Sequence, residues 1–589
     1  MTISEGLSYL EIVSVGPFWR VRMTISEGLS YLEIAQVLCL KHPLCLCLGL
    51  VAQTEAKIRP RRRWSDIART CARWRSETWT SPLLFCLRHA RLAAAIAVSS
   101  SRKDFFVALC FRAQGLFVAL CCASLSSSPI AQVMLPWLAF GHLIPFFKLS
   151  IALAKAGVRV SFISTPKNIQ RLPKLPSTLN HLLDLVQFPL PSLYKEHLPE
   201  GAEATVDIPF EKIQYLKLAY DQLQPAVKQF VVNQLPDWII CDFSPHWMKE
   251  ISQEFQVKLM FFNILSAPSA TFFGPGTRKT PISPESLTAP PEWVTFPSSV
   301  AFKRHEAIPF CAGANQINAS GISDWERVAT VLISSEAVLF RSCYEIEGEY
   351  IDAFQKLVGK PVIPIGLLPV EMPERDGGIV DECNGNIFEW LDKQASKSVV
   401  FVGFGTECNL SKDQVFEIAY GLEKSQLPFL WALRKPSWAS TDQDSLPVGF
   451  HGRTSDRGIV YMGWIPQQEI LAHPSIGGSL FHAGWGTTIE ALQFGHSLVV
   501  LPFNIDQPLI ARFLVEKGLA IEVKRNEDGS FTGNDIATSL RQAMVLEESK
   551  KLRINTREAA AIVGNLKLHQ DHYIAAFVQF LKDGIWKQI

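Results

Sequence analysis

The stretch that most limits what this chain can become is residues 464–507, WIPQQEILAHPSIGGSLFHAGWGTTIEALQFGHSLVVLPFNIDQ. Residues 478–481 are a short apolar run and 482–486 a tight turn rich in small residues. Residues 487–494 read as helix, Gly495 is its stop, and 498–501 are a buried strand. Strand, loop, helix, strand, loop in one short stretch is an αβ unit, and it sets the class of the whole fold.

A small-residue loop feeding a helix N-terminus offers free N–H groups and a positive dipole end to an anion. A diphosphate fits there, with His482 and the hydroxyls of Thr487 and Thr488 as further donors. Glu490, three residues into the helix, suits ribose hydroxyls. Trp464 offers an apolar face for a base, and Asp506 with Gln507 offers polar groups for a sugar. The plain alternative is an ordinary αβ unit, with Trp485 in the core and Asp506 and Gln507 capping a helix.

In this order the 44-residue stretch resembles the signature box of the plant family 1 UDP-sugar glycosyltransferases. The resemblance covers about residues 132–585. It implies an α/β fold of the GT-B type, two doubly wound Rossmann-like domains facing across a cleft. It also implies that Trp464 stacks on uracil and Gln467 holds the uridine, with His482, Gly486 and Thr487 along the diphosphate. Glu490 then binds the ribose, Asp506 and Gln507 hold the sugar hydroxyls, and Thr406, Ile465 and Trp485 complete the donor-binding set. Ala483, Gly486 and Thr487 depart from the commonest pattern, His-Cys-Gly-Trp-Asn-Ser. Gly486 removes a side-chain amide that usually faces the phosphates. The Trp-Gly variant resembles a subgroup of UDP-rhamnose rhamnosyltransferases, many of which extend existing glycosides.

The length of 589 residues allows two or three domains, and 48% hydrophobic with 19% charged residues suits a globular protein. A net charge of +1 argues against nucleic acid or an acidic membrane as the main partner. That average hides a division. Residues 1–130 carry 16 Lys and Arg against 8 Asp and Glu, and the remainder 41 against 48. Eight of the 13 cysteines also fall in the first 130 residues, while Cys241, Cys311, Cys343, Cys383 and Cys408 are scattered. Scattered cysteines point to reduced thiols in a cytoplasmic protein rather than a disulfide framework.

The leader, 1–130, repeats residues 1–12 identically at 23–34 and repeats Phe-Val-Ala-Leu-Cys at Phe106 and Phe117. Neither period continues, so this is no solenoid. Its apolar runs are broken by Lys41, His42, Arg112 and Gln114, short of the ~18 uninterrupted residues a spanning helix needs. No secretory order of basic, apolar and small residues opens the chain. The basic run at 59–63 reads as a solvated charge cluster, and Cys45, Cys47, Cys121 and Cys122 lack a second pair at zinc spacing. The leader is expected to be duplicated or misjoined upstream sequence outside the catalytic fold.

The first working domain is expected over 131–369. Residues 132–137 are a strand and 140–142 a turn. Pro145 suits the first turn of a helix to 156, and 158–163 form the next strand. This βαβ order predicts a parallel, doubly wound sheet whose sites lie beyond the strand C-termini. His142 follows the first strand and Asp242 ends the strand at 237–242. A hydroxyl attacking a sugar carbon must lose its proton, and an imidazole titrates in the right range, with a carboxylate fixing its tautomer. The resemblance gives His142 the role of base and Asp242 that of its orienting partner, in a single displacement with inversion. Phe140, Phe243, His246 and Trp247 neighbour these two and are candidates to line an apolar acceptor pocket; residues 268–275 read as a loop.

Residues 370–386 are a linker by composition, and 387–589 the UDP-sugar-binding domain, whose last helix the resemblance packs back on the first domain. Ser411 is a plausible N-cap and 566–581 a final amphipathic helix. Asp442 and Asp444 match a metal-dependent Asp-x-Asp pattern, but they sit in a polar loop, and His569 and His572 lack further ligands. No metal and no cofactor is expected, since the UDP-sugar is a co-substrate. The sequence thus points to a monomeric, inverting O-glycosyltransferase with no membrane span. It would move rhamnose or glucose from a UDP-sugar to a small hydrophobic plant metabolite or its glycoside, of flavonoid or triterpenoid type. The rivals are an aglycone glucosyltransferase and a non-catalytic UDP-sugar or glycoside binder.

Overall fold

A computed structural model describes residues 7–15, 18–25, 94–101, 104–113, 116–122, 130–191, 197–276, 283–314, 316–371, 382–463 and 465–586. The chain divides into two compact units, Met1–Ser128 and Pro129–Ile589. In the first unit, β1 (Leu7–Val15) and β2 (Phe18–Ile25) form an antiparallel hairpin. A second antiparallel set joins β3 (Ala94–Ser101), β4 (Asp104–Ala113) and β5 (Leu116–Cys122). The repeated pentapeptides fall on β4 and β5, where Leu109 pairs with Leu120. The basic run at 59–63, Cys45 and Cys47 lie outside the described residues.

The second unit holds two parallel sheets. The first lobe carries β6 (Ala131–Leu135), β7 (Arg159–Ser164), β8 (Leu183–Gln187), β9 (Trp238–Cys241), β10 (Lys258–Asn263), β11 (Ala337–Phe340) and β12 (Val362–Pro364). Their spatial order is β12-β11-β10-β9-β6-β7-β8, and every pairing is parallel. The second lobe carries β13 (Val399–Gly403), β14 (Phe429–Ala432), β15 (Gly458–Tyr461), β16 (Ile476–Phe481), β17 (Ser497–Val500) and β18 (Ala520–Glu522). Their order is β15-β14-β13-β16-β17-β18, again all parallel. Each sheet winds outward in both directions from its first strand, so each has one switch point, between β6 and β9 and between β13 and β16. Loops leaving neighbouring strands there diverge to opposite faces and open a crevice, which is where such sheets bind ligands. The residues of β9, β11, β13, β16 and β17 are all buried and mostly apolar, as sheets covered by helices on both faces require.

Several elements differ in extent from the sequence reading. The helix after β6 begins at Phe140 and runs to Lys155, with Pro145 inside it. The Ala139 carbonyl accepts from the His142 and Leu143 N–H groups, at 2.9 and 2.8 Å, and starts the helix before Pro145 is reached. Proline then costs only the bond to the Gly141 carbonyl, and His142 stands on the first helical turn rather than in a preceding turn. The helix of the box begins at Trp485, not at 487, and ends at Gln493. Residues read as a loop at 268–275 overlap the helix Ala267–Phe273, capped by Ser266 Oγ accepting from Ser269 N–H at 3.3 Å. The linker predicted over 370–386 overlaps the helix Glu382–Asp392. Ser411 caps the helix Lys412–Ser425 with a reciprocal bond from its N–H to Gln414 Oε1 at 2.9 Å.

The final helix is not uniform. Leu568–Ile574 is π-helical and Ala575–Asp583 α-helical. The wider turn seats His569, whose Nδ1 accepts from Leu367 N–H at 3.2 Å against the left-handed Gly366, where any Cβ would meet His569 at 3.0 Å. Ile574, Phe577, Phe580 and Leu581 pack into the core of the first lobe, and Trp238 Nε1 donates to the Leu581 carbonyl at 3.2 Å. Polar contacts also join the lobes directly: Arg512 Nη2 to Glu306 at 2.7 and 2.8 Å, and Thr205 Oγ1 to Glu407 at 2.8 Å.

Candidate active site

The first switch point brings His142 and Asp242 together from 100 residues apart. His142 Nδ1 lies 2.7 Å from Asp242 Oδ2, and Asp242 is 1% exposed. Trp137 N–H donates to the same oxygen at 3.0 Å, and Phe243 N–H to Oδ1 at 2.7 Å. The carboxylate is therefore held on both oxygens, and it holds the imidazole with Nδ1 inward. His142 remains 20% exposed, which leaves Nε2 as the nitrogen available to a substrate.

The Phe243 ring centroid lies 5.6 Å from that of His142, so Phe243 walls the site. Phe140 lies under the Arg171 guanidinium, 6.0 Å from its ring. His246 and Trp247 belong to a partly buried polar group: Arg327 Nη1 contacts His246 Nδ1 at 3.1 Å, and Trp247 Nε1 donates to Asp221 at 3.2 Å. Both line an open cavity of about 430 Å³ together with Asp221, Gln224 and Lys249.

The second switch point gathers the loop after β13 and the turn after β16. Gly405 adopts the left-handed conformation, and a Cβ there would sit 2.9 Å from the His482 ring. Arg434 donates to the Thr406 carbonyl and pins that loop. Burial holds the His482 imidazole down at about 4, so it is neutral at pH 7, and its Nδ1 has no hydrogen-bond partner among the described residues. Ala483 follows with φ of +64°, a strained turn that aims the helix Trp485–Gln493 at the crevice. Thr487 sits half-buried on its first turn. Thr488 is spent, donating to the Gly484 carbonyl at 3.0 Å.

Glu490 is a meeting point. Gln467 Nε2 reaches its Oε2 at 3.1 Å, Gln468 Nε2 its Oε1 at 3.5 Å, and Lys148 of the first lobe its Oε1 at 3.3 Å. Burial, then repulsion from Arg341, pushes the Lys148 ammonium down to about 8, against the pull of Glu490. Ile465 is buried, and its carbonyl accepts from Gln467 N–H at 2.8 Å. Trp485 is buried too, its Nε1 donating to the Arg341 carbonyl at 3.0 Å. Burial raises the Asp506 carboxyl to about 6, opposed by its own backbone and by the charge of His142 in the other lobe. Gln507 Oε1 accepts from Phe503 and Asn504 N–H groups, each at 3.0 Å. Trp464 lies outside the described residues.

Among the described residues, no three His, Cys, Asp or Glu side chains gather as a metal-ligand set, and no helix is long and apolar enough to cross a membrane. Asp444 accepts from Thr441, and His569 is occupied as described above.

A family model for UDP-glucoronosyl and UDP-glucosyl transferase matches residues 374–556. UDP-glycosyltransferase 91C1 of Arabidopsis thaliana is 40% identical over 453 residues, covering 76% of this chain and 96% of the relative. The chain is a plant family 1 UDP-glycosyltransferase. Soyasaponin III rhamnosyltransferase of Glycine max is also 40% identical to this glycosyltransferase, over 464 residues, covering 78% of this chain and 96% of the relative. Among solved structures, Arabidopsis thaliana UGT89C1 complexed with UDP-L-rhamnose superposes with a TM-score of 0.60 at 23% identity, covering 77% and 100% of the two chains. Glycyrrhiza uralensis UGT73P12 reaches 0.63 at 21%, covering 77% and 96%. These two share the GT-B fold with the glycosyltransferase.

Sequence reasoning passed over Lys148, Gln468 and Arg341. Lys148 reads as a solvated helix residue, because nothing local hints at a partner 342 positions away. Arg341 had a usable signal: it directly follows β11, and a charged residue at the C-terminal end of a parallel strand is placed as Asp242 is.

Proposed function

We propose that this glycosyltransferase is an inverting O-glycosyltransferase that moves rhamnose or glucose from a UDP-sugar to a hydroxyl of a small plant metabolite or its glycoside. The observation that carries the reading is the His142–Asp242 pair at the first crevice, with Asp506 of the other lobe within its field. His142 Nε2 accepts the proton of the acceptor hydroxyl as its oxygen attacks the anomeric carbon. Asp242 stabilises the imidazolium that forms. The bond from that carbon to UDP breaks in the same step, with inversion, and UDP leaves with the bonding pair. His482, Thr487 and the N-terminus of the helix Trp485–Gln493 are suited to the charge on the leaving diphosphate. Glu490, with Gln467, suits the ribose, and Asp506 and Gln507 suit the sugar.

A rhamnosyl donor and a triterpenoid glycoside acceptor draw support from the soybean relative's name and from the Trp-Gly variant of the box. The test is a turnover screen of UDP-glucose and UDP-rhamnose against flavonoids, their glucosides and triterpenoid glycosides. One UDP released per glycoside formed is the expected result. UDP bound tightly with no turnover on any acceptor would favour a non-catalytic binder instead.

A further inference from the structure

Gly486 stands on the first turn of the helix Trp485–Gln493 and brings no side chain to the second crevice. The atom nearest to where its Cβ would lie is Nη1 of Arg341, at 3.8 Å. Arg341 comes from the first lobe, immediately after β11, and is 3% exposed. Its Nε donates to the Leu367 carbonyl at 2.7 Å and its Nη2 to the Leu368 carbonyl at 3.2 Å. Those bonds fix the plane of the guanidinium and leave Nη1 with no hydrogen-bond partner among the described residues. No carboxylate there lies in ion-pair contact with Arg341 either. Glu490 is the acid whose field it feels, and Lys148 already holds that carboxylate at 3.3 Å.

Two cations from the first lobe thus share one carboxylate beside the positive end of a helix. Burial lowers the guanidinium only to about 10, so Arg341 stays charged at neutral pH. A buried charge is retained at such a cost only where something compensates it, and a guanidinium is shaped to bind phosphate oxygens. We propose that Arg341 is a donor-binding residue whose Nη1 donates to the diphosphate of the nucleotide sugar, in the space left by the absent side chain of Gly486. The inference rests on the donor site proposed at the second crevice. Because Arg341 belongs to the first lobe and the helix to the second, the diphosphate would also tie the lobes together.

Calorimetric titration of UDP and of uridine into the full chain, as wild type, Arg341→Gln and Arg341→Lys, tests this. UDP affinity is expected to fall about 30-fold in the Gln variant and about 5-fold in the Lys variant, the scale of one charge-assisted phosphate contact. Uridine affinity should stay within about twofold in both, since uridine carries no phosphate. Equal losses for UDP and uridine, or no loss for either, would overturn the proposal. If Arg341→Gln does not fold, the Lys variant decides: an unchanged ratio of UDP to uridine affinity would sink the idea. A wild type that binds neither compound refutes the donor site itself, a separate failure.

Discussion

At the crevice between β6 and β9, both oxygens of Asp242 are already engaged, by His142, Trp137 and Phe243. At the crevice between β13 and β16, His482 Nδ1 and Arg341 Nη1 have no partner among the described residues, and the His482 and Asp506 protonation equilibria are displaced by burial. The two crevices arise from the same strand order, yet they are finished differently. A base must be oriented before its substrate arrives, so its polar atoms are spent within the protein. A site for an anion keeps its donors unspent until the anion supplies the acceptors. On the proposed mechanism, the first crevice serves proton transfer and the second grips the donor.

The largest expected effect on turnover lies in the first lobe. His142→Ala should lower kcat by about 10³-fold in a steady-state assay, the usual scale of a lost general base. Asp242→Asn should cost about 10²-fold in kcat/KM, because the amide is neutral toward the imidazolium and has one acceptor oxygen where Asp242 uses two, so its NH2 must face a donor. A normal rate in either variant would break the assignment. In the second lobe, Gly405→Ala forces a Cβ to 2.9 Å from the His482 ring at a left-handed position. It should raise the donor KM about tenfold and destabilise the fold by about 1–2 kcal/mol, read as a drop in Tm.

The pH dependence of stability sharpens the contrast. The His482 ring is held neutral down to about 4 in the folded chain, whereas its ordinary value is 6.5. As pH falls from 6.5 toward 4 the unfolded ring gains a proton and the folded one does not, so stability is lost across that window. His482→Asn should remove about 1–2 kcal/mol of the loss between pH 7 and pH 5, measured by denaturant titration at both values. Asp506, raised to about 6, runs the opposite way and regains stability as pH falls below that value. The smallest effect concerns the sugar. The affinity ratio of UDP-glucose to UDP should fall about threefold from pH 7 to pH 5 as Asp506 takes a proton, and stay level in Asp506→Asn.

Much of this was legible in the sequence, and the reasons are local. Strand ends mark sites in parallel sheets, which made His142 and Asp242 candidates, and the family resemblance gave them their roles. The box between Gly478 and Leu501 showed its strand, turn and helix because small residues and apolar runs alternate there. Pro145 misled because proline attracts a helix start, while the actual start depends on the Ala139 carbonyl. The π-helical turn at Leu568–Ile574 answers to His569 packed against Gly366, some 200 residues earlier, which no periodicity reveals. Lys148 escaped for the same reason, since its partner Glu490 comes from the other lobe. His246 and Trp247 neighbour Asp242 in sequence, but their polar contacts are with Arg327 and Asp221.

The most direct test of the division between crevices is UDP affinity, measured by calorimetry, in His142→Ala and His482→Asn side by side. The account predicts wild-type affinity within about twofold for the first and a loss of about tenfold for the second. Equal losses in both, or a loss confined to His142→Ala, would contradict it.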